Sequence, residues 1–314
     1  MSDIEGLIPG VQKNVCLTPY TTFRVGGPAD YFVIGETEEV ILQTLKAARR
    51  ERLPLFVLAG GSNVLFSDDG FRGLVLLMRN AEYEISGETV LASAGASMAD
   101  LIRETAGRGL AGLEWAGGLP GTLGGAIRGN AGAFGGEMKD SVAVVRYVTQ
   151  TGEVRDASLA ECTFAYRSSF FKTHDVVIIS ATLRMTTGDP ALIAETARGH
   201  VEYRSLRHPL DLPNAGSIFK NVPFSSIPEN LKERVRGVIK ADPFPVIPAA
   251  YLIAQAGFAG KRIGDAQVSE KHTNFIVNRG RAASRDIAAL ISMIKKTVHE
   301  QFSVDLEVEI QCVA

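Results

Sequence analysis

The period of the apolar positions changes several times along the chain, and each change marks an element. Residues 29–34 read as a short strand. Thr37 follows as the N-cap of a helix over 38–51, with acids in its first turn and Arg49-Arg50 in its last, the order a helix dipole favours. Residues 53–58 are an apolar run of strand length closed by Gly60-Gly61, and 74–78 are another. This β-α-β order predicts a small α/β unit. Alternating residues predict strands near 82–86 and 89–94. Ser97 caps a helix over 98–106, with Asp100 at the capping-box position and Gly107 as the C-cap. Strand-like runs return at 142–149 and 176–185, the latter rich in β-branched residues. Thr187-Gly188-Asp189-Pro190 reads as a boundary. Beyond it lie a helical stretch over 192–206, a loop with several prolines, and 251–256. Ser284–Phe302 has the clearest period: Ile287, Leu290, Ile291, Ile294, Val298 and Phe302 share one face, a stripe meant for a core.

Composition narrows the classes. At 314 residues the chain is too long for one small core. A net charge of −2 sets up no field for nucleic acid or an anionic membrane, although a local cationic pocket is compatible with it. Cys16, Cys162 and Cys312 are far apart and form no CxxC, which fits free thiols in a reducing cytoplasm. His174, His200, His208, His272 and His299 show no metal-ligand spacing, so no metal site is expected. The start, Met1-Ser2-Asp3-Ile4-Glu5, lacks a basic region followed by an apolar core, and no apolar run is long enough to span a bilayer.

Three glycine clusters need a use. Gly107-Arg108-Gly109-Leu110-Ala111-Gly112 matches GxGxxG but follows a helix, so it does not aim a helix N-terminus at a pyrophosphate. Gly60-Gly61-Ser62-Asn63 follows a strand directly, where glycines let the backbone approach a phosphate and N–H groups form an anion nest. The third cluster runs from Gly117 through Gly121-Thr122-Leu123-Gly124-Gly125 to Gly136. Such a density destabilises regular structure and suits a loop pressed against something flat or anionic. The run Asn214-Ala215-Gly216-Ser217-Ile218-Phe219-Lys220-Asn221 places a hydroxyl, a cation and an amide close together. Those parts can hold an anion and hand over a proton. Near the C-terminus Glu307 and Glu309 alternate with Val308 and Ile310, and spacing alone does not choose between the two acids.

Together with Thr21–Gly27 and Tyr166-Arg167-Ser168-Ser169-Phe170, these stretches resemble the UDP-N-acetylenolpyruvoylglucosamine reductases, the MurB family, over nearly the whole chain. The resemblance implies an α+β protein: a vanillyl-alcohol-oxidase/PCMH-type FAD-binding fold of two α/β subdomains, at 1–78 and 79–188, plus a C-terminal α+β substrate-binding domain at 189–314. It implies FAD, held by Gly60, Gly61, Ser62, Asn63, Gly121, Thr122, Gly124 and Gly125. No histidine lies in those loops, so the FAD is expected to be non-covalent. NADPH reduces the flavin, and hydride passes from flavin N5 to the vinyl CH2 of the enolpyruvyl ether of UDP-N-acetylglucosamine. Arg167 then corresponds to the guanidinium on the substrate carboxylate. Ser217 corresponds to the proton donor, helped by Lys220 or water, and Glu309 to the acid that polarises the enolate. Lys220, Asn221 and Gln267 correspond to substrate-diphosphate contacts. The expected setting is cytoplasmic peptidoglycan synthesis, with no nucleic acid and no obligate protein partner.

Departures from the family pattern stand at Ala254-Gln255, at Phe258-Ala259-Gly260 and at Ile310-Gln311-Cys312. The short stretch between Met185 and Ser217 resembles the subclass without a tyrosine-bearing substrate loop, which leaves Tyr203 as the candidate there. A flavin oxidase of the same fold would share the glycine clusters without needing the 214–221 run or Glu309. A non-catalytic nucleotide-sugar binder would be expected to have lost Arg167, Ser217 or Glu309, and all three stand.

Overall fold

The computed structural model of the protein describes residues 4–314, so the first three residues of the acidic start lie outside it. The chain forms two compact units. The first holds the residues up to Val15, Ala29–Gly60 and Arg72–Tyr203, and the second holds Cys16–Pro28, Gly61–Phe71 and Arg204–Ala314.

The first unit is built on two larger sheets. Strands β1 (Gln12–Cys16), β2 (Pro28–Gly35), β3 (Leu55–Leu58) and β4 (Phe71–Met78) form a sheet in the order β1-β2-β4-β3. Leu55 to Leu58 run parallel to Leu74 to Leu77, and helix α1 (Glu38–Arg50) connects β2 to β3. Val40 N–H donates to Thr37 Oγ1 at 3.3 Å, the expected cap, and Ile41 and Leu45 are buried. Strands β5 (Tyr83–Ser86), β6 (Thr89–Ser93), β7 (Val142–Val148), β8 (Val154–Ser158) and β9 (Val177–Arg184) form an antiparallel five-stranded sheet in the order β8-β7-β9-β6-β5. Helix α2 (Met98–Gly107) buries Met98, Leu101 and Ile102. Asp100 N–H donates to Ser97 Oγ at 3.4 Å, but the Asp100 carboxylate pairs with Arg103 at 2.7 Å, leaving the reciprocal half of the capping box unmade. Gly107 belongs to the helix and Arg108 is its C-cap, one residue later than expected, with Gly109 following at φ +69°. The GxGxxG match therefore ends a helix instead of opening one. The proline at the expected boundary begins a longer helix, α4 (Pro190–Arg207), after the short α3 (Leu123–Arg128).

The second unit is built on α6 (Ser284–Phe302), which packs with α5 (Ala249–Gln255) and a small sheet of β10 (Arg262–Ile263), β11 (Ala266–Val268) and β12 (Ile276–Asn278). All six residues of the predicted α6 stripe are buried. The helix N-terminus is capped from far away in sequence. Asp68 carboxylate oxygens accept from Ser284 N–H at 2.8 Å and Arg285 N–H at 3.4 Å, and Ser284 Oγ accepts from Asp68 N–H at 2.9 Å. Asn278 donates to the Phe23 carbonyl at 3.0 Å, and Gln311–Val313 pairs in parallel with Val64–Phe66. The loops 16–28 and 61–71 are thus stitched into this unit.

His208 and His272 pack edge-on at 5.3 Å, each against Phe275. Burial holds both imidazoles down to about 4; the His272 ring and the charges of Arg204, Lys240 and Lys271 add to this at His208, as does Lys240 at His272. Their folded-state values lie below the unfolded value near 6.5, so both rings are neutral in either state above it. As pH falls from about 6.5 towards 4, the unfolded chain takes up protons that the fold refuses, and stability is lost through that window. The expected loss is on the order of 3 kcal/mol, most of it from His272, since solvent screens the more exposed His208. Urea midpoints measured from pH 7 to pH 4.5 should fall less steeply in His272→Gln than in the parent; equal slopes would refute the assignment.

Candidate functional site

The first unit supplies a glycine-lined loop and a short helix. A Cβ on Gly60 would lie 2.7 Å from the Gly121 Cα, so the two backbones approach as only glycine permits. Thr122 is the N-cap of α3 and accepts from Gly125 N–H at 3.5 Å. Gly124 and Gly125, both expected at the cofactor, differ in what surrounds them. A Cβ on Gly124 would sit 2.8 Å from the Ala94 Cβ, so Gly124 is required for packing at the end of β6. A Cβ on Gly125 would meet only Thr122 Oγ1, at 3.7 Å, and Gly125 is exposed. Gly125 is the part of this turn open to solvent, and with nothing else packed against its Cα a ligand can approach the backbone there closely.

Arg167 stands just beyond this helix. It occupies a tight turn closed by Ala165 and Ser168, which exchange N–H···O bonds of 3.0 Å, and it takes φ +53°, a strained value for a residue with a Cβ. Its guanidinium donates to the Gly132 carbonyl at 2.8 Å and lies 5.1 Å from the Tyr166 ring centroid. Lys172 Nζ donates to the Arg167 carbonyl at 2.9 Å. Two further residues, not singled out by sequence, hold this turn against the glycine loop. Asn130, fully buried, donates to the Ala165 carbonyl at 3.1 Å and accepts from Lys139 N–H at 3.1 Å. Ser169 donates to the Arg128 carbonyl at 2.7 Å. Burial also lowers the Arg128 guanidinium below the usual arginine range, and it forms no ion pair among the described residues.

The second unit brings together Ser217, Lys220, Asn221, Asn63 and Glu309. Gly216 turns at φ +75° with its N–H on Asn214 Oδ1 at 2.9 Å, which starts the extended segment at Ser217. Phe219 pairs antiparallel with Val308. Glu309 N–H donates to the Ile218 carbonyl at 2.8 Å and Lys220 N–H to the Glu307 carbonyl at 2.9 Å. Glu309 therefore lies opposite Ile218, next to Ser217. On the other edge the buried Asn274 side chain accepts from Phe219 N–H at 3.0 Å and donates to the Phe219 carbonyl at 2.8 Å. The half-buried Ser217 hydroxyl has no hydrogen-bond partner among the described residues, which leaves its proton available. Asn63, expected at the cofactor, donates to the Glu309 carbonyl at 3.3 Å and fixes the cradle loop to that acid's backbone.

Of the expected substrate contacts, Lys220 Nζ is paired with Glu307 at 2.6 Å. Asn221 uses its oxygen to accept from Ala249 N–H at the start of α5, at 3.1 Å. Gln267, on β11, is engaged at both ends: it donates to the Gly260 carbonyl at 3.1 Å and accepts from Arg279 at 3.2 Å. In the first unit Tyr203 is partly exposed, with its ring edge-on to Phe134 at 5.3 Å.

The chain matches two family models: an FAD binding domain over residues 29–158 and the UDP-N-acetylenolpyruvoylglucosamine reductase C-terminal domain over 208–313. It is 38% identical over 296 residues to a UDP-N-acetylenolpyruvoylglucosamine reductase of Alkaliphilus oremlandii, covering 94% of this chain and 90% of that one. It is 36% identical to another from Synechococcus sp., covering 99% and 93% of the two chains. The solved UDP-N-acetylenolpyruvylglucosamine reductase of Thermus caldophilus superposes with a TM-score of 0.76 at 29% identity, over 97% of this chain and 99% of that one.

The two neighbouring glycines should separate folding from ligand binding. Gly124→Val should lower both the melting temperature and the flavin content, by overpacking against Ala94 at a cost of about 1–3 kcal/mol. Gly125→Val should keep the melting temperature of apoprotein within a few degrees while losing flavin. Full flavin absorbance in purified Gly125→Val would show that the cradle lies elsewhere.

Proposed function

The chain belongs to the UDP-N-acetylenolpyruvoylglucosamine reductase family, and from that premise we propose that Arg167, Ser217 and Glu309 carry its reaction. The protein is an FAD- and NADPH-dependent oxidoreductase of peptidoglycan synthesis, reducing the enolpyruvyl ether of UDP-N-acetylglucosamine to UDP-N-acetylmuramate. The observation that supports the residue roles best is the Ser217 segment: a hydroxyl without a hydrogen-bond partner among the described residues, one position from the Ile218 carbonyl that accepts from Glu309 N–H.

The residues that would hold FAD are Gly60, Gly61, Ser62, Asn63, Gly121, Thr122, Gly124 and Gly125, with the exposed Gly125 at the open end of the cradle. When bound, FAD supplies the hydride, which it receives from NADPH. Reduction of the vinyl ether leaves negative charge that spreads into the substrate carboxylate, and catalysis requires stabilising that charge more than the ground state. Arg167 binds the carboxylate with its planar fork, already oriented by the Gly132 carbonyl. Glu309 in its acid form donates a hydrogen bond to the developing enolate. Ser217 delivers the proton to carbon. A serine hydroxyl is a weak acid, so the half-buried surroundings and a charged neighbour must lower the cost. Lys220 and Asn221 continue the same segment and take the nucleotide diphosphate, with Gln267 as a further contact.

We read residues 1–78 and 79–188 as the flavin-binding subdomains and 189–314 as the substrate-binding domain; by contacts 16–28 and 61–71 group with 204–314, and 189–203 with the first unit. The reaction is placed in the cytoplasm, where NADPH is available. Among the described residues no helix is long and apolar enough to cross a membrane.

Stopped-flow measurement of the two half-reactions tests the assignment. Ser217→Ala should be reduced by NADPH at a near-normal rate, since that step needs no proton from Ser217. Its reoxidation by the enolpyruvyl nucleotide should slow by about 10²-fold or more. Equal slowing of both halves would make Ser217 structural. Acid precipitation should release all FAD into the supernatant, because no histidine stands in the cradle; colour kept in the pellet would overturn non-covalent binding.

A further inference from the structure

Glu307 has no part in the reaction as described above, yet it makes the shortest ion pair to the Ser217 segment. Its carboxylate lies 2.6 Å from Lys220 Nζ. The two ends of this pair are unequal. The Lys220 side chain is only 15% exposed, and its backbone is held by the Glu307 carbonyl at 2.9 Å and, one residue earlier, by the Asn274 clamp on Phe219. The Glu307 side chain is 70% exposed. Packing therefore fixes the lysine, whereas the glutamate can swing into water with its charge fully hydrated.

A cation fixed by packing and neutralised by a mobile carboxylate has the form of a site whose counter-ion is exchanged. We propose that Glu307 is a displaceable counter-ion for Lys220, leaving it when an anionic group of the bound nucleotide sugar takes its place. The inference rests on the proposed substrate contact of Lys220. It makes Glu307 a residue that sets affinity without touching the reacting atoms. With the site empty, the pair balances a mostly buried ammonium that would otherwise stand uncompensated. With ligand present, the exposed carboxylate loses little on release, because surface pairs are weak and its hydration is regained. The ligand group must carry anionic oxygen, from either the diphosphate or the lactyl carboxylate of the product.

The test is the dissociation constant of UDP-N-acetylmuramate and of UDP-N-acetylglucosamine for the FAD-loaded protein, by calorimetry. Glu307→Gln keeps the hydrogen bond to Lys220 and removes the competing charge. It should bind UDP-N-acetylmuramate about threefold to tenfold more tightly than the parent, the scale of one partly screened charge. A merely structural role for the pair predicts weaker binding instead, and unchanged or weaker binding overturns the proposal. Tightening for both nucleotides identifies the diphosphate as the incoming group, and tightening for UDP-N-acetylmuramate alone identifies the carboxylate. In a Lys220→Met background the Glu307→Gln effect should vanish. Persistence of the effect in that background, with flavin content retained, would also overturn the proposal. Absence of nucleotide binding by the parent protein would instead overturn the proposed function.

Discussion

The Asn274 amide is the contact on which the second unit's chemistry depends. Residues 217–221 are too short and irregular to form a strand with two regular neighbours, so their backbone groups need other partners. One edge pairs with 307–309 through Phe219 and Val308. On the other, Asn274 copies a strand edge with one side chain, offering both an acceptor and a donor to Phe219. Buried amide groups left unpaired would cost about 1–3 kcal/mol each, so this pair of hydrogen bonds fixes the register of the whole segment. Register in turn sets Glu309 opposite Ile218 and Lys220 opposite Glu307.

The first unit solves a similar problem differently. Arg167 is presented from a left-handed position in a tight turn, a conformation that the surroundings must impose. Asn130 and Ser169 impose it by binding the turn to the glycine loop from two sides. The glycines there do unequal work. Some allow backbone to touch backbone, as Gly60 does at Gly121, and Gly124 makes room for Ala94. Gly125 leaves its stretch of backbone exposed. A glycine-rich sequence is thus partly a packing device and only partly a ligand surface.

Charge is arranged with equal economy. The net charge of −2 conceals local cations: Arg128 and Arg167 near the cradle, and Lys220 beside Ser217. Arg128 is partly desolvated without an ion pair among the described residues, whereas Lys220 is desolvated with one. His208 and His272 go further and are held neutral by burial. The charge state of the two imidazoles follows from burial, which composition alone does not record.

Local periodicity determined much of this protein. The α6 stripe, the Thr37 and Ser97 caps and the β-α-β start follow from spacing and short-range hydrogen bonding, and all appear where the pattern places them. The rejection of GxGxxG also needed only the order of helix and glycine. Motif resemblance identified the run around Ser217 and the family. Tertiary structure alone decided what closes over long sequence distances. Asp68 caps a helix that begins at Ser284, Asn63 binds Glu309, and Glu307 binds Lys220. In each case the donor and acceptor are ordinary polar residues in loops or at strand ends, where no period constrains them. That Glu307 and not Glu309 pairs with Lys220 was also not legible, because the two acids share an alternation. It is decided by the register of the segment that Asn274 holds, a contact between residues 55 apart in the chain.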